Sequence, residues 1–123
     1  QNSQEYLFEK FVTHCVAYTG THDNTTIVGW FKEANPDDVA YAREYLNILE
    51  GAQVNWCMMD AIWDSIAELA IVTGQDLLGL GSEARMNEPA TVGKNWQWRA
   101  LPGVFTPELA EKIRLRMKKF ERL

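Results

Sequence analysis

Hydrophobic and polar positions along this chain change period several times, and each change marks an element. Residues Val12 to Thr19 read Val-Thr-His-Cys-Val-Ala-Tyr-Thr, rich in β-branched and aromatic types, and stop at Gly20. That pattern predicts a short buried strand running into a loop. The loop, Gly20-Thr21-His22-Asp23-Asn24-Thr25, is made of residues that favour turns and helix caps. A short amphipathic stretch, Thr26 to Lys32, follows with Trp30 and Phe31.

Asn35-Pro36-Asp37-Asp38 predicts a helix start, with a capping side chain, proline at the first helical position and two acids in the first turn. Val39, Ala42, Leu46 and Leu49 recur at helical spacing, and Gly51 is the expected stop. A second helix is expected from about Gln53 to Glu68. Trp56, Met59, Trp63, Ile66 and Ala70 mark one face of it, and Met58 and Ile62 widen that face, so the tryptophans read as core. Leu69 to Thr73 then predicts a second short buried strand. Gly74 to Gly81 is a glycine-punctuated turn without the spacing of a phosphate-binding G-x-G-x-x-G motif, and Glu83 to Arg99 reads as ordered loop. Thr106-Pro107-Glu108 opens a final helix with Ala110, Ile113, Met117 and Phe120 on one face.

Strand, loop, helices, strand, loop, helix is the alternation of an α/β protein with a parallel sheet. Two parallel strands do not make a stable sheet alone, and a complete (β/α)8 barrel takes about 250 residues. This chain has 123 and opens on Gln1, so residues 1–123 read as one segment of a larger barrel.

Composition adds limits. With 46% hydrophobic and 24% charged residues the chain is an ordinary globular sequence. A formal net charge of −5 argues against a nucleic-acid or anionic-membrane surface. The one basic cluster, Arg114 to Arg122, sits where the last turns of a helix favour cations and is expected to be a solvated face. No run approaches the ~18 apolar residues of a membrane span. Cys15 and Cys57 have no ligand-like spacing and read as reduced thiols, which makes a cytoplasmic location the expectation.

Barrel enzymes carry their working residues on loops after the C-terminal ends of strands. The loop after the first strand supplies His22 and Asp23; the second supplies Gln75, Asp76, Glu83, Arg85 and Asn87. Three readings of His22-Asp23 are open on residue type: half of a metal site, an acid/base pair, or a helix cap with a neighbouring hydrogen bond. Metal binding is the weakest, because the only other histidine, His14, lies within the strand. Nucleophile chemistry has no support: no serine sits in a G-x-S-x-G context, and Cys15 lies among apolar neighbours. Glu83 and Arg85 are candidates to pair with each other, to position the loop or to touch a ligand. Trp96 and Trp98 are candidates for packing or for stacking on a sugar.

Four blocks carry a resemblance: Tyr18-Thr19-Gly20-Thr21-His22-Asp23-Asn24-Thr25-Thr26; Gly29-Trp30; Gln75 to Asn87; and Gly93-Lys94-Asn95-Trp96-Gln97-Trp98-Arg99. In this order and separation they resemble the amylomaltases, the 4-α-glucanotransferases also called disproportionating enzymes, over nearly the whole chain from Val12. Thr25, where that family usually has Asp, and Glu88-Pro89-Ala90, where it commonly has Thr-Pro-Gly, are departures outside its catalytic carboxylates. The resemblance implies the C-terminal portion of a (β/α)8 barrel, containing strands seven and eight. It implies a retaining transfer of α-1,4-glucan segments between maltodextrins, with glucose among the acceptors and no metal or organic cofactor. Such enzymes need a nucleophile and an acid/base about 5–5.5 Å apart. In the family these lie on strands four and five, outside this chain. Asp23 matches a third carboxylate, the transition-state stabiliser; His22 and Asn87 match sugar-binding positions, with Asn24 and Arg85 as further candidates. The rival reading is a non-catalytic sugar-binding or structural module derived from the barrel. In isolation the chain is expected to be inactive and to associate with itself or with the remainder of the barrel.

Overall fold

The computed structural model describes residues 7–123. After a 3-10 turn at Phe8–Lys10 come β1 (Val16–Tyr18), α1 (Ile27–Glu33), α2 (Pro36–Tyr45), α3 (Val54–Asp64), β2 (Leu69–Ile71), α4 (Gly74–Leu77), a second 3-10 turn at Ser82–Ala84, and α5 (Pro107–Lys119). Among the described residues the sheet consists of β1 and β2, parallel, with Val16 opposite Leu69, Ala17 opposite Ala70 and Tyr18 opposite Ile71.

Side chains alternate across this sheet. Ala17 is buried and packs with Ile62 and Ala67 beneath the helices. Val16, Tyr18, Leu69 and Ile71 stand about half exposed, at 51%, 53%, 53% and 46%. Small residues face α3 so that helix and sheet approach closely; the larger ones form a bare apolar face. Both strands are shorter than their β-branched runs suggest. At the start of β1 the Cys15 N–H bonds back to the Thr13 carbonyl, and this bend leaves Val12, Thr13 and His14 exposed.

The main core gathers Ile27 of α1 with Trp56, Met59 and Trp63 of α3, flanked by Leu109, Ile113 and Met117 from α5 and by Phe120 at its C-terminal cap. Leu109 takes the place expected for Ala110, which is exposed. Ile113, Met117 and Phe120 lie on the buried face as expected, and Leu109, four residues before Ile113, extends that face into the first turn, which Thr106 caps through the Leu109 N–H.

Helix ends differ most from expectation. The α2 helix stops at Tyr45 rather than at Gly51. Asn47 adopts a left-handed φ of 55°, its N–H bonds to the Glu44 carbonyl, and the Ile48 N–H reaches the Arg43 carbonyl. That is a Schellman termination with asparagine as the left-handed residue. It buries Ile48 and leaves Leu49 77% exposed. The α3 helix ends at Asp64, four residues early, where Ser65 turns extended and its hydroxyl donates to the Ile62 carbonyl. Ile66 therefore leaves the helical face and is exposed.

The glycine-rich segment after β2 contains a helical turn, α4, capped by Thr73 and closed by a second Schellman turn at Gly79, φ 69°. A third ends α5 at Glu121, φ 58°, and aims Arg122 at the end of α3. There its guanidinium donates to the carbonyls of Trp63, Ser65 and Ala67 at 2.6–3.0 Å. Arg116 also turns inward, 2.8 Å from Asp60 and 4.5 Å above the Trp56 ring. The basic cluster is thus partly a clamp between α5 and α3, with only its outer side solvated. On that outer side Arg114 bonds Glu111 and holds its carboxyl below the usual range.

Candidate active site

Two loops emerge side by side where the parallel strands end. The first, residues 20–26, is a self-bonded turn. The Asn24 Oδ1 accepts from the Thr21 N–H at 2.7 Å and from its hydroxyl at 2.9 Å, and the Thr21 Oγ1 accepts from the Asp23 N–H. The Asn24 Oδ1 thus shapes the loop, and the residue also lines the cavity described below. The turn ends at Thr26, whose hydroxyl caps α1 through the Gly29 N–H. The cap reading for His22-Asp23 falls away, because Thr26 and Asp76 satisfy the start of that helix.

Asp76 does so from the other loop. Its carboxylate, on a residue only 2% exposed, accepts the Ile27 N–H at 2.8 Å. Its carbonyl takes the Asn55 side-chain amide, and its own N–H is held by Thr73. A buried carboxylate is tolerated here because it meets the free N–H groups and positive end of α1. The partner of Asp76 lies 49 residues away, so nothing in the local sequence around Asp76 marks it. Packing of α1 on the second loop also explains Gly29. A Cβ there would lie 2.6 Å from the Thr25 hydroxyl and 3.0 Å from the Ser82 nitrogen, so only glycine fits. Thr25 and Ser82 hydroxyls meet at 2.5 Å across the same junction.

Above this junction the loops are tied through His22 and Asp23. The Asn87 side-chain amide donates to Asp23 Oδ1 at 2.6 Å, and the Asn87 N–H donates to the His22 carbonyl at 3.1 Å. Arg85 donates to the main-chain carbonyls of Asp23 (2.7 Å) and Asn87 (2.9 Å). Glu83 bonds the Gly81 N–H instead of Arg85, so Arg85 acts as a brace between loops. The His22 Nε2 lies 3.4 Å from Asp23 Oδ1, with the two side chains 57% and 46% exposed. Trp96 lays its ring against His22 at 5.0 Å.

Beside them opens a cavity of about 220 Å³ walled by Thr21, His22, Thr26, Gln75, Asp76 and Arg85. Threonine hydroxyls and the amides of Asn24 and Gln75 in its lining can hydrogen-bond a polyol. Asp23 keeps half its surface open, with one oxygen oriented by Asn87. Such a carboxylate can accept hydroxyl protons and stabilise developing positive charge. Among the described residues no three His, Cys, Asp or Glu side chains gather as a metal centre requires, and no helix is long and apolar enough to cross a membrane.

Parallel strands with a helical crossover, and polar side chains converging at the strands' C-terminal ends, are the features of an α/β protein whose site lies where a (β/α)8 barrel carries its own. A family model described as 4-alpha-glucanotransferase matches residues 1–104. The chain is 45% identical over 113 residues to the 4-alpha-glucanotransferase of Clostridium butyricum, an alignment covering 91% of this chain and 23% of that one. With the Thermus thermophilus 4-alpha-glucanotransferase it shares 43% identity, over 88% of this chain and 23% of the relative. The solved amylomaltase from Streptococcus agalactiae in complex with acarbose superposes with a TM-score of 0.90 at 30% identity, over 98% of this chain and 24% of that one. The chain belongs to the 4-α-glucanotransferase family and has the fold of the C-terminal portion of an amylomaltase barrel. It spans under a quarter of the length of these relatives.

Proposed function

We propose that this chain supplies one wall of the active site of a 4-α-glucanotransferase, which transfers α-1,4-glucan segments between maltodextrins and to glucose with retention of configuration. Asp23 is the carboxylate that stabilises the oxocarbenium-like transition state; His22 and Asn87 bind the same sugar region, and Arg85 and Asn24 hold the loop that presents them. The nucleophile and the acid/base come from barrel strands outside this chain, and the 123 residues alone are inactive. The observation that carries the reading is the Asn87–Asp23 bond of 2.6 Å, which fixes a half-open carboxylate at the strand ends. Acarbose bound to the Streptococcus agalactiae amylomaltase supports an α-glucan as ligand.

Differential binding requires that Asp23 act on the transition state more than on the ground state. Asp23→Asn in the full-length enzyme is expected to lower maltotriose disproportionation at least about 100-fold, with an unchanged melting temperature. Near wild-type turnover would reject the assignment. A non-catalytic sugar-binding module predicts instead that the full-length protein binds maltodextrins without producing glucose and longer chains.

A further inference from the structure

Residues 86–96 form a closed loop held by its own groups. The Trp96 N–H donates to the Met86 carbonyl at 2.6 Å and joins the ends. Inside, the Asn95 side chain accepts from the Glu88 N–H at 2.9 Å and donates to the Thr91 carbonyl and hydroxyl at 3.2 Å, while the Thr91 hydroxyl donates to the Glu88 carbonyl. This closure holds Trp96 at φ 63°, a left-handed conformation that a bulky residue rarely adopts. Strain of that kind persists only where the surroundings over-determine it, and it clusters at functional positions. Trp96 is 58% exposed, so the geometry does not serve the core. What the ring meets is His22, at 5.0 Å and a tilt of 38°.

His22 has a neighbour on two sides. The Trp96 ring lies against the imidazole, and the Asp23 carboxylate approaches its Nε2 at 3.4 Å. The main chain beneath it is pinned by the Asn87 N–H.

We propose that Trp96 is a positioning residue: by packing against His22 it fixes the imidazole relative to Asp23, so that both meet the sugar in one geometry. This rests on the reading of His22 and Asp23 given above. Loss of the ring frees the imidazole and disturbs a pair that acts together on the transition state, so the defect falls on kcat. A Trp96 that stacked on sugar directly would move KM instead.

The test uses the full-length enzyme with Trp96→Asn, Trp96→Phe and Asp23→Asn. Asparagine tolerates the left-handed backbone while removing the ring, and phenylalanine keeps an aromatic face. Trp96→Asn is expected to lower kcat about 10- to 100-fold, with KM changed by less than about threefold. Phenylalanine should restore most of the rate. In proton spectra of histidine-labelled protein the His22 ring resonances should lose their aromatic ring-current shift in Trp96→Asn and largely keep it in Trp96→Phe. Unmoved His22 resonances overturn the proposal, as does a pure rise in KM. Normal kcat in Trp96→Asn beside an impaired Asp23→Asn overturns this proposal alone. A fully active Asp23→Asn overturns the underlying reading of the loop, and with it the functional part of this one.

Discussion

A carboxylate at the mouth of a barrel and one buried beneath it have opposite tasks in this chain. Asp23 keeps solvent access and one oriented oxygen, whereas Asp76 is 2% exposed and committed to the first N–H of α1. Removing the Asp76 side chain leaves a buried N–H without its acceptor. Asp76→Ala is expected to cost about 1–3 kcal/mol, read as a fall in the urea midpoint. Asp76→Asn keeps a side-chain acceptor and should cost distinctly less. Equal losses for both would mean that the charge at the helix terminus, rather than the hydrogen bond, carries the effect. Residue type left three readings of His22-Asp23 open, and it was the four-block resemblance to the amylomaltases that singled the pair out. Asp76 and Trp96 were less legible, because their partners lie 49 and 74 positions away and no local pattern encodes such a contact.

At the scale of elements, local chemistry predicted starts better than ends. Asn35-Pro36 and Thr106-Pro107 begin α2 and α5 as their capping residues require. Ends were decided by left-handed residues other than glycine at two places, Asn47 and Glu121, and by a serine that turns the chain extended at Ser65. The Glu121 turn matters most, since it delivers Arg122 to three carbonyls at the end of α3. Arg122→Met should therefore destabilise the fold by about 2–3 kcal/mol, given the strength of hydrogen bonds to a charged donor. Arg122→Lys should recover only part of that, because a point charge cannot span three acceptors. Chemical denaturation of the three forms provides the comparison. A loss below about 0.5 kcal/mol in Arg122→Met would place the clamp among ordinary surface contacts.

At the scale of the molecule, the bare side of the sheet sets behaviour. Val16, Tyr18, Leu69 and Ile71 expose apolar surface on one side of two strands whose outer edges have no strand partner among the described residues. In a closed barrel such side chains fill interior layers. The 123-residue chain on its own is expected to self-associate in sedimentation velocity as its concentration rises, and to show no transglycosylation of maltotriose. A monodisperse monomer, or measurable glucose release, would contradict this.

Sequence by itself determined the α/β alternation, the two parallel strands, the buried tryptophan face of α3 and the loop that carries His22 and Asp23. These are encoded locally, in period, in caps and in the clustering of polar residues at a strand end. Only the tertiary structure decided that Asn87 holds the Asp23 carboxylate, that Arg85 braces main chain instead of pairing with Glu83, and that the basic cluster reaches inward to α3. It also gave the first loop its neighbours, Asp76 below and Trp96 beside His22. The reason is physical. The loop contacts join groups that come together only when β1 and β2 lie in register, which brings loops far apart in sequence to the same end of the sheet, and the clamp forms only when α5 packs on α3.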